Sequence, residues 1–204
     1  LIPENTVYQD GASENAATMP RRKYANPEVY AYLQNLKSYV ATTRFSNQTW
    51  DENQAFLARA RADGKLPAAT QCMYPCSVAI GETVPISANV FVLEMNNETN
   101  QILGIGLIKN HSPHFHRFQV YQEERYNTYT YQGAYRIDRE KMDEHELGIL
   151  RRMETACFKG ARHQKRMAGI KLFPRDMLYD MVTQEGLDIT AEITAMFKTR
   201  FLTG

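Results

Sequence analysis

The sequence has no long hydrophobic run, few cysteines and one tryptophan, and each shortage removes a class of protein. No apolar stretch approaches the roughly 18 residues that cross a bilayer as a helix, so no membrane partner is expected. Three cysteines, Cys72, Cys76 and Cys157, are too few and too odd in number for a disulfide framework. With no apolar signal segment at the polar N-terminus, an intracellular setting is expected. No P-loop, nucleophile elbow or dinucleotide fingerprint occurs, and Gly104-Ile105-Gly106 is too short to count as one. No catalytic residue is nominated, and no cofactor is expected.

What is present is an uneven charge distribution. The chain carries a net charge of +1. Within residues 151–175, however, Arg151, Arg152, Lys159, Arg162, Lys165, Arg166, Lys171 and Arg175 stand against Glu154 alone. A concentrated basic tract on a neutral body points to an anionic partner. Arg151 and Arg152 are also explained by a helix C-terminus, whose dipole favours cations. The stretch from Lys159 to Lys171 has no such explanation. It includes His163, and Gly160 and Gly169 bound a loop able to gather side chains and amides around a phosphate.

Periodicity gives an α+β reading. Residues 1–25, with Arg21-Arg22-Lys23, read as an extended polar arm, 26–174 as the core domain, and 175–204 as a C-terminal helical extension packed on it. Asn26-Pro27 opens a helix whose apolar positions run through Val29, Leu33, Leu36, Tyr39 and Val40. Thr49 and Glu52 suggest a capping box for a second helix ending near Gly64. Asn89–Met95 and Ile102–Ile108 read as an antiparallel hairpin about the turn 96–100. Leu103, Ile105 and Leu107 are assigned to one face. Gly104 and Gly106 lie on the other, where a backbone or a ligand approaches closely. A third strand is expected about Phe118 and Val120, and a fourth over Tyr126–Ile137. Helices follow after Asp138, after Pro174 and after the cap Asp188.

The tyrosines give the second site signal. Tyr129, Tyr131 and Tyr135 share strand parity, which places them on one sheet face. Aromatics on a sheet face stack bases, with Arg136 nearby to add charge, although ordinary packing explains the same pattern. His111, His114 and His116 with Cys72 and Cys76 supply metal-ligand types but match no zinc spacing, so no metal site is assigned. Asp138, Glu140, Asp143, Glu144 and Glu146 supply carboxylates for a metal-dependent nuclease. They also sit where acids favour a helix start.

Over residues 44–109 the chain resembles PUA-like β-barrel modules of the ASCH, EVE and YTH kind. The carrying residues are Thr49-Trp50 at a helix start, Val90-Phe91-Val92-Leu93, and Ile102-Leu103-Gly104-Ile105-Gly106-Leu107-Ile108. The resemblance implies a small antiparallel β-barrel or sheet with flanking helices. YTH-type readers cage a modified base with several tryptophans, whereas this chain has only Trp50. The strings Glu94-Met95-Asn96-Asn97 and Phe158-Lys159-Gly160-Ala161-Arg162-His163-Gln164-Lys165-Arg166 resemble a conserved protein of large double-stranded DNA viruses, which implies a viral nucleic-acid-associated or virion protein. The leading expectation is a non-enzymatic protein that binds DNA or RNA. Lys159, Arg162, His163, Lys165, Arg166, Lys171 and Arg136 would meet phosphates, and Tyr129, Tyr131, Tyr135 and Trp50 would stack. A virion assembly component with other virion proteins as partners, and a metal-dependent nuclease, are the alternatives.

Overall fold

Strands β1 (Ser38–Phe45) and β3 (Asn89–Asn96) run parallel inside a five-stranded sheet. The computed structural model describes residues 26–111, 118–166 and 168–202. The polar arm, His114 and His116 lie outside them. The fold is α+β. The sheet order is β6-β4-β3-β1-β7, with β4 (Gln101–Lys109), β6 (Tyr135–Asp138) and β7 (Lys171–Leu172) all antiparallel to their neighbours. A separate ribbon pairs β2 (Cys72–Cys76) with β5 (Tyr129–Gly133). The sheet is therefore mixed rather than antiparallel. No pairing joins β6 to β7 among the described residues, so the strands form an open sheet.

The parallel pair follows from where the first helix stops. Asn26 caps α1 (Pro27–Gln34) by accepting from the amides of Glu28 and Val29. The apolar periodicity continues through Tyr39 and Val40, but the chain turns after Gln34 and re-enters as β1. Val40, Thr42 and Thr43 are β-branched and stiff at χ1, which favours a strand over a longer helix. The second helix, α2 (Asn47–Ala62), begins earlier than the Thr49–Glu52 reading. The Ser46 hydroxyl accepts from the Thr49 amide and the Thr49 hydroxyl accepts from the Ser46 amide, so the capping box is Ser46–Thr49. Gly64, at φ 68°, closes that helix.

The expected strand about Phe118 and Val120 is irregular chain instead. The expected strand over Tyr126–Ile137 is two strands, β5 and β6, bent apart at Ala134 and placed in different sheets. A bulge between Leu93 and Met95 also breaks the alternation in β4. Ile102 and Ile105 share the face assigned to Leu103, Ile105 and Leu107, and Leu103 is only half-buried.

The sheet buries both faces. Phe91, Leu93, Met95 and Ile105 meet α1, α3 (Glu144–Phe158), α4 (Arg175–Glu185) and α5 (Ile189–Phe201) through Leu33, Leu150, Met153, Leu178, Ile193 and Phe197. The other face, with Ala41, Val90, Val92 and Ile108, meets α2 and the ribbon through Leu57, Met73, Tyr74 and Tyr131. β3 is apolar on both sides because both are covered, which is why it reads as a continuous apolar run. No helix among the described residues is long and apolar enough to cross a membrane.

Candidate nucleic-acid interface

The basic tract divides when folded. Arg151 and Arg152 lie on α3 and pair with Glu144 and Glu185. Arg162 reaches Asp180 at 3.1 Å and Asp176 at 3.4 Å, both on α4. Three of the eight cations are thus matched by carboxylates that the linear count placed elsewhere. Arg175 donates to Gln34 at 2.6 Å. Lys159 and Arg166 are exposed, and Lys165, His163 and Lys171 are half-buried. Lys165 donates to the Asn100 side chain at 2.8 Å. Lys171 sits opposite Thr42 on β7, and its charge helps to hold down a Cys76 thiol that burial pushes up to about 11.

The loop after Lys165 closes one side of a cleft of about 330 Å³, lined by Arg44, Phe45, Thr49, Asn97, Tyr121 and Tyr126 with Ala168 and Gly169. Two interactions fix the loop there. The carbonyl of Lys165 accepts from Arg44 Nη1 at 2.6 Å and from Asn97 Nδ2 at 3.1 Å. Gly169 adopts φ 68°, a left-handed turn that glycine takes without strain. The cleft lies beyond the carboxyl ends of β1 and β3, at the start of α2. That is where open sheets containing parallel strands place ligands, and a helix N-terminus there favours anions. Burial lowers the basicity of Arg44, with Tyr126 acting in the opposite sense. The acid in the lining is Glu98.

The tyrosines do not form one face. Tyr131 is 2% exposed, its hydroxyl accepts from the Ile80 amide at 3.0 Å, and burial raises its pKa; its ring packs in the core beneath the ribbon. Tyr129 is half-buried on the same ribbon. Tyr135 is 43% exposed on β6, away from the cleft. Tyr121 and Tyr126, not assigned to a site from the sequence, are the tyrosines that line the cleft with Ala168 and Gly169 of the basic loop. Arg44 is not nominated from the sequence, because the helical reading runs to Val40 and hides the strand that carries it. Tyr126 enters the sequence reading only as the start of the expected fourth strand.

Trp50 and Arg136 belong to a buried network. Arg136 holds Glu94 with two nitrogens, Nε at 2.9 Å to Oε1 and Nη2 at 2.7 Å to Oε2, and also pairs with Asp138. Tyr74 donates to Glu94 Oε1 at 2.7 Å. The Arg136 guanidinium lies 5.3 Å from the centre of the Trp50 ring. Burial works against the Arg136 charge, but Glu94 outweighs it and its pKa rises. Arg136 and Glu94 are 9% and 1% exposed, so this cation is committed to the interior.

The acidic stretch is likewise occupied. Asp143 and Glu146 form the capping box of α3, Glu146 pairs with Arg200, and Asp138 pairs with Arg136 and Lys141. Among the described residues no group of three or more His, Cys, Asp or Glu is placed to hold a metal ion. No protein-family model, curated protein or solved structure matches this chain.

Proposed function

We propose that this protein is a non-enzymatic nucleic-acid-binding protein whose ligand enters the cleft beyond the carboxyl ends of β1 and β3. The carrying observation is that the glycine-bounded basic loop is pinned by Arg44 and Asn97 against the same cleft that Tyr121 and Tyr126 line. Arg44 supplies positive charge in its lining, Lys165 and Arg166 extend from the adjoining loop, and Lys171 follows on β7. Phosphates meet the cations, and a base meets the Tyr126 ring, which is 37% exposed.

The test is fluorescence anisotropy of labelled oligonucleotides across a salt series. Binding weakens as salt rises, and Lys165→Ala with Arg166→Ala lowers the log–log slope by about 2. Tyr126→Ala weakens binding by about 1–3 kcal/mol per stacked base and leaves the slope unchanged. Absence of binding at low salt, or a slope indifferent to Lys165 and Arg166, overturns the proposal.

A further inference from the structure

At the opposite end of the sheet, three depressions join into one groove. The first, about 660 Å³, is lined by Lys109, His111, Gln132 and Tyr135 among others. The second, about 240 Å³, is lined by Phe91, Phe197 and Phe201 and shares Asn89, Leu107 and Tyr135 with the first. The third, about 570 Å³, is lined by Tyr32, Asn35 and Lys37 and shares Ser38, Thr194 and Lys198 with the second. Strand register explains the continuity. Ser38 pairs with Asn89, Asn89 with Lys109, and Leu107 with Tyr135. The floor therefore crosses β1, β3, β4 and β6, about 14 Å for three spacings of about 4.8 Å, before the outer lobes extend it.

The lining is selective in charge. The chain has 23 acidic residues against 24 Lys and Arg, yet among the described residues none of those lining the three depressions is Asp or Glu. Lys37, Lys109 and Lys198 are exposed, and none forms an ion pair among the described residues. The arginines elsewhere behave differently, since Arg136, Arg139, Arg152, Arg162 and Arg200 are all matched by carboxylates. At the far end Asp188 accepts from the Tyr32 hydroxyl at 2.6 Å.

Rings and amides alternate with these cations. From one end to the other the groove presents Lys109, then Tyr135 beside Phe201 at 5.0 Å between ring centres, then Lys198, then Lys37 with Tyr32. Tyr32, Tyr135 and Phe201 are 41%, 43% and 37% exposed. The Gln132 Oε1 atom is buried without a hydrogen-bond partner beside the first lobe.

We infer that this groove carries an extended single strand of nucleic acid, with phosphates on Lys109, Lys198 and Lys37 and unpaired bases on Tyr135, Phe201 and Tyr32. Cations with interleaved ring platforms are what a single strand requires, because its bases are free to stack while its phosphates remain solvated. A duplex keeps its bases stacked on one another and offers these rings nothing. The inference takes its class of partner from the nucleic-acid reading above but stands on different residues, so the two sites fail separately.

The experiment uses the full chain with labelled single-stranded and duplex oligonucleotides of the same length, compared across wild type, Lys109→Gln/Lys198→Gln, Tyr135→Ala and Lys165→Ala/Arg166→Ala. Thermal melts confirm that each variant is folded. The lysine pair lowers the single-strand salt slope by about 1.4. Tyr135→Ala weakens single-strand binding about 5- to 150-fold. Neither change alters duplex affinity. Single-strand binding unchanged in both groove variants but lost in the loop variant leaves only the cleft and overturns the groove. Binding to polyglutamate or to phosphatidylserine vesicles without binding to either oligonucleotide overturns both sites.

Discussion

A Cβ atom on Gly106 would lie 1.8 Å from the hydroxyl oxygen of Tyr74. Tyr74 comes from β2, crosses beneath β4 and donates to the buried Glu94 carboxylate, so it occupies the space that the glycine leaves. Gly104 makes room in the same way for the Arg136 guanidinium and Glu94, at 2.8 Å from each. These two glycines admit a polar network into a layer that is otherwise apolar.

Gly106→Ala is therefore expected to destabilise the fold by about 1–3 kcal/mol or more, the range for overpacking a core. Tyr74 is fully buried and hydrogen-bonded, so it has no free rotamer to retreat into. Urea denaturation measures the loss. A Gly106→Ala protein as stable as wild type would mean that Tyr74 does not fill this space.

Gly148→Ala has the opposite sign. Gly148 lies inside α3, and a Cβ there meets nothing within 4 Å. Alanine raises helix propensity by about 0.8–1.0 kcal/mol over glycine without a steric cost. A rise in Tm is the expected readout, and it calibrates the Gly106 measurement against an unobstructed site.

The glycines also show how far the sequence could be read. Alternation in Ile102–Ile108 placed Gly104 and Gly106 on a face of close approach, and that is where they lie. What approaches is the protein's own Tyr74 and Arg136, brought from β2 and β6, and no local pattern reports which distant side chain fills a gap. Helix caps were legible at Asn26, Asp188 and Gly64 because capping is a local interaction. β1 was not, because Leu36, Tyr39 and Val40 fit a helical period and only the turn after Gln34 breaks it. In the site, the neutralisation of Arg162 by Asp176 and Asp180 was invisible to a count that stopped at residue 175. Lys37, Lys109 and Lys198 are isolated in sequence, and only the strand register together with the packing of α5 gathers them.

The thiols give a prediction on pH. Burial, with smaller charge effects, pushes Cys72 and Cys157 up to about 12 and Cys76 up to about 11 from an ordinary value of 9.0. Folded thiols hold their protons where unfolded ones release them, so their contribution to stability is complete below about pH 9 and declines as pH rises toward 11–12. The native protein should react slowly with a thiol reagent at pH 8 and release three equivalents only on unfolding. Melts taken at rising pH should show Tm falling above about pH 9. Fast labelling of the native protein at pH 8 would contradict the burial.

The last prediction separates structure from binding at Arg136. Its guanidinium is held by Glu94, 1% exposed, so Arg136→Met leaves a carboxylate buried without its counter-charge. Breaking a buried pair from one side costs about 3–5 kcal/mol, whereas replacing both partners costs much less. In the double variant Arg136→Met with Glu94→Gln, the glutamine still accepts from the Tyr74 hydroxyl, and the charge to be solvated is gone. Its loss of stability in urea should therefore be well below that of Arg136→Met alone. If Arg136 instead served mainly to meet phosphate, the double variant would be no more stable than the single one. Its salt slope for oligonucleotide binding would also fall by about 1. The geometry predicts the reverse on both counts: stability recovered by the second substitution, and a salt slope that stays at the wild-type value.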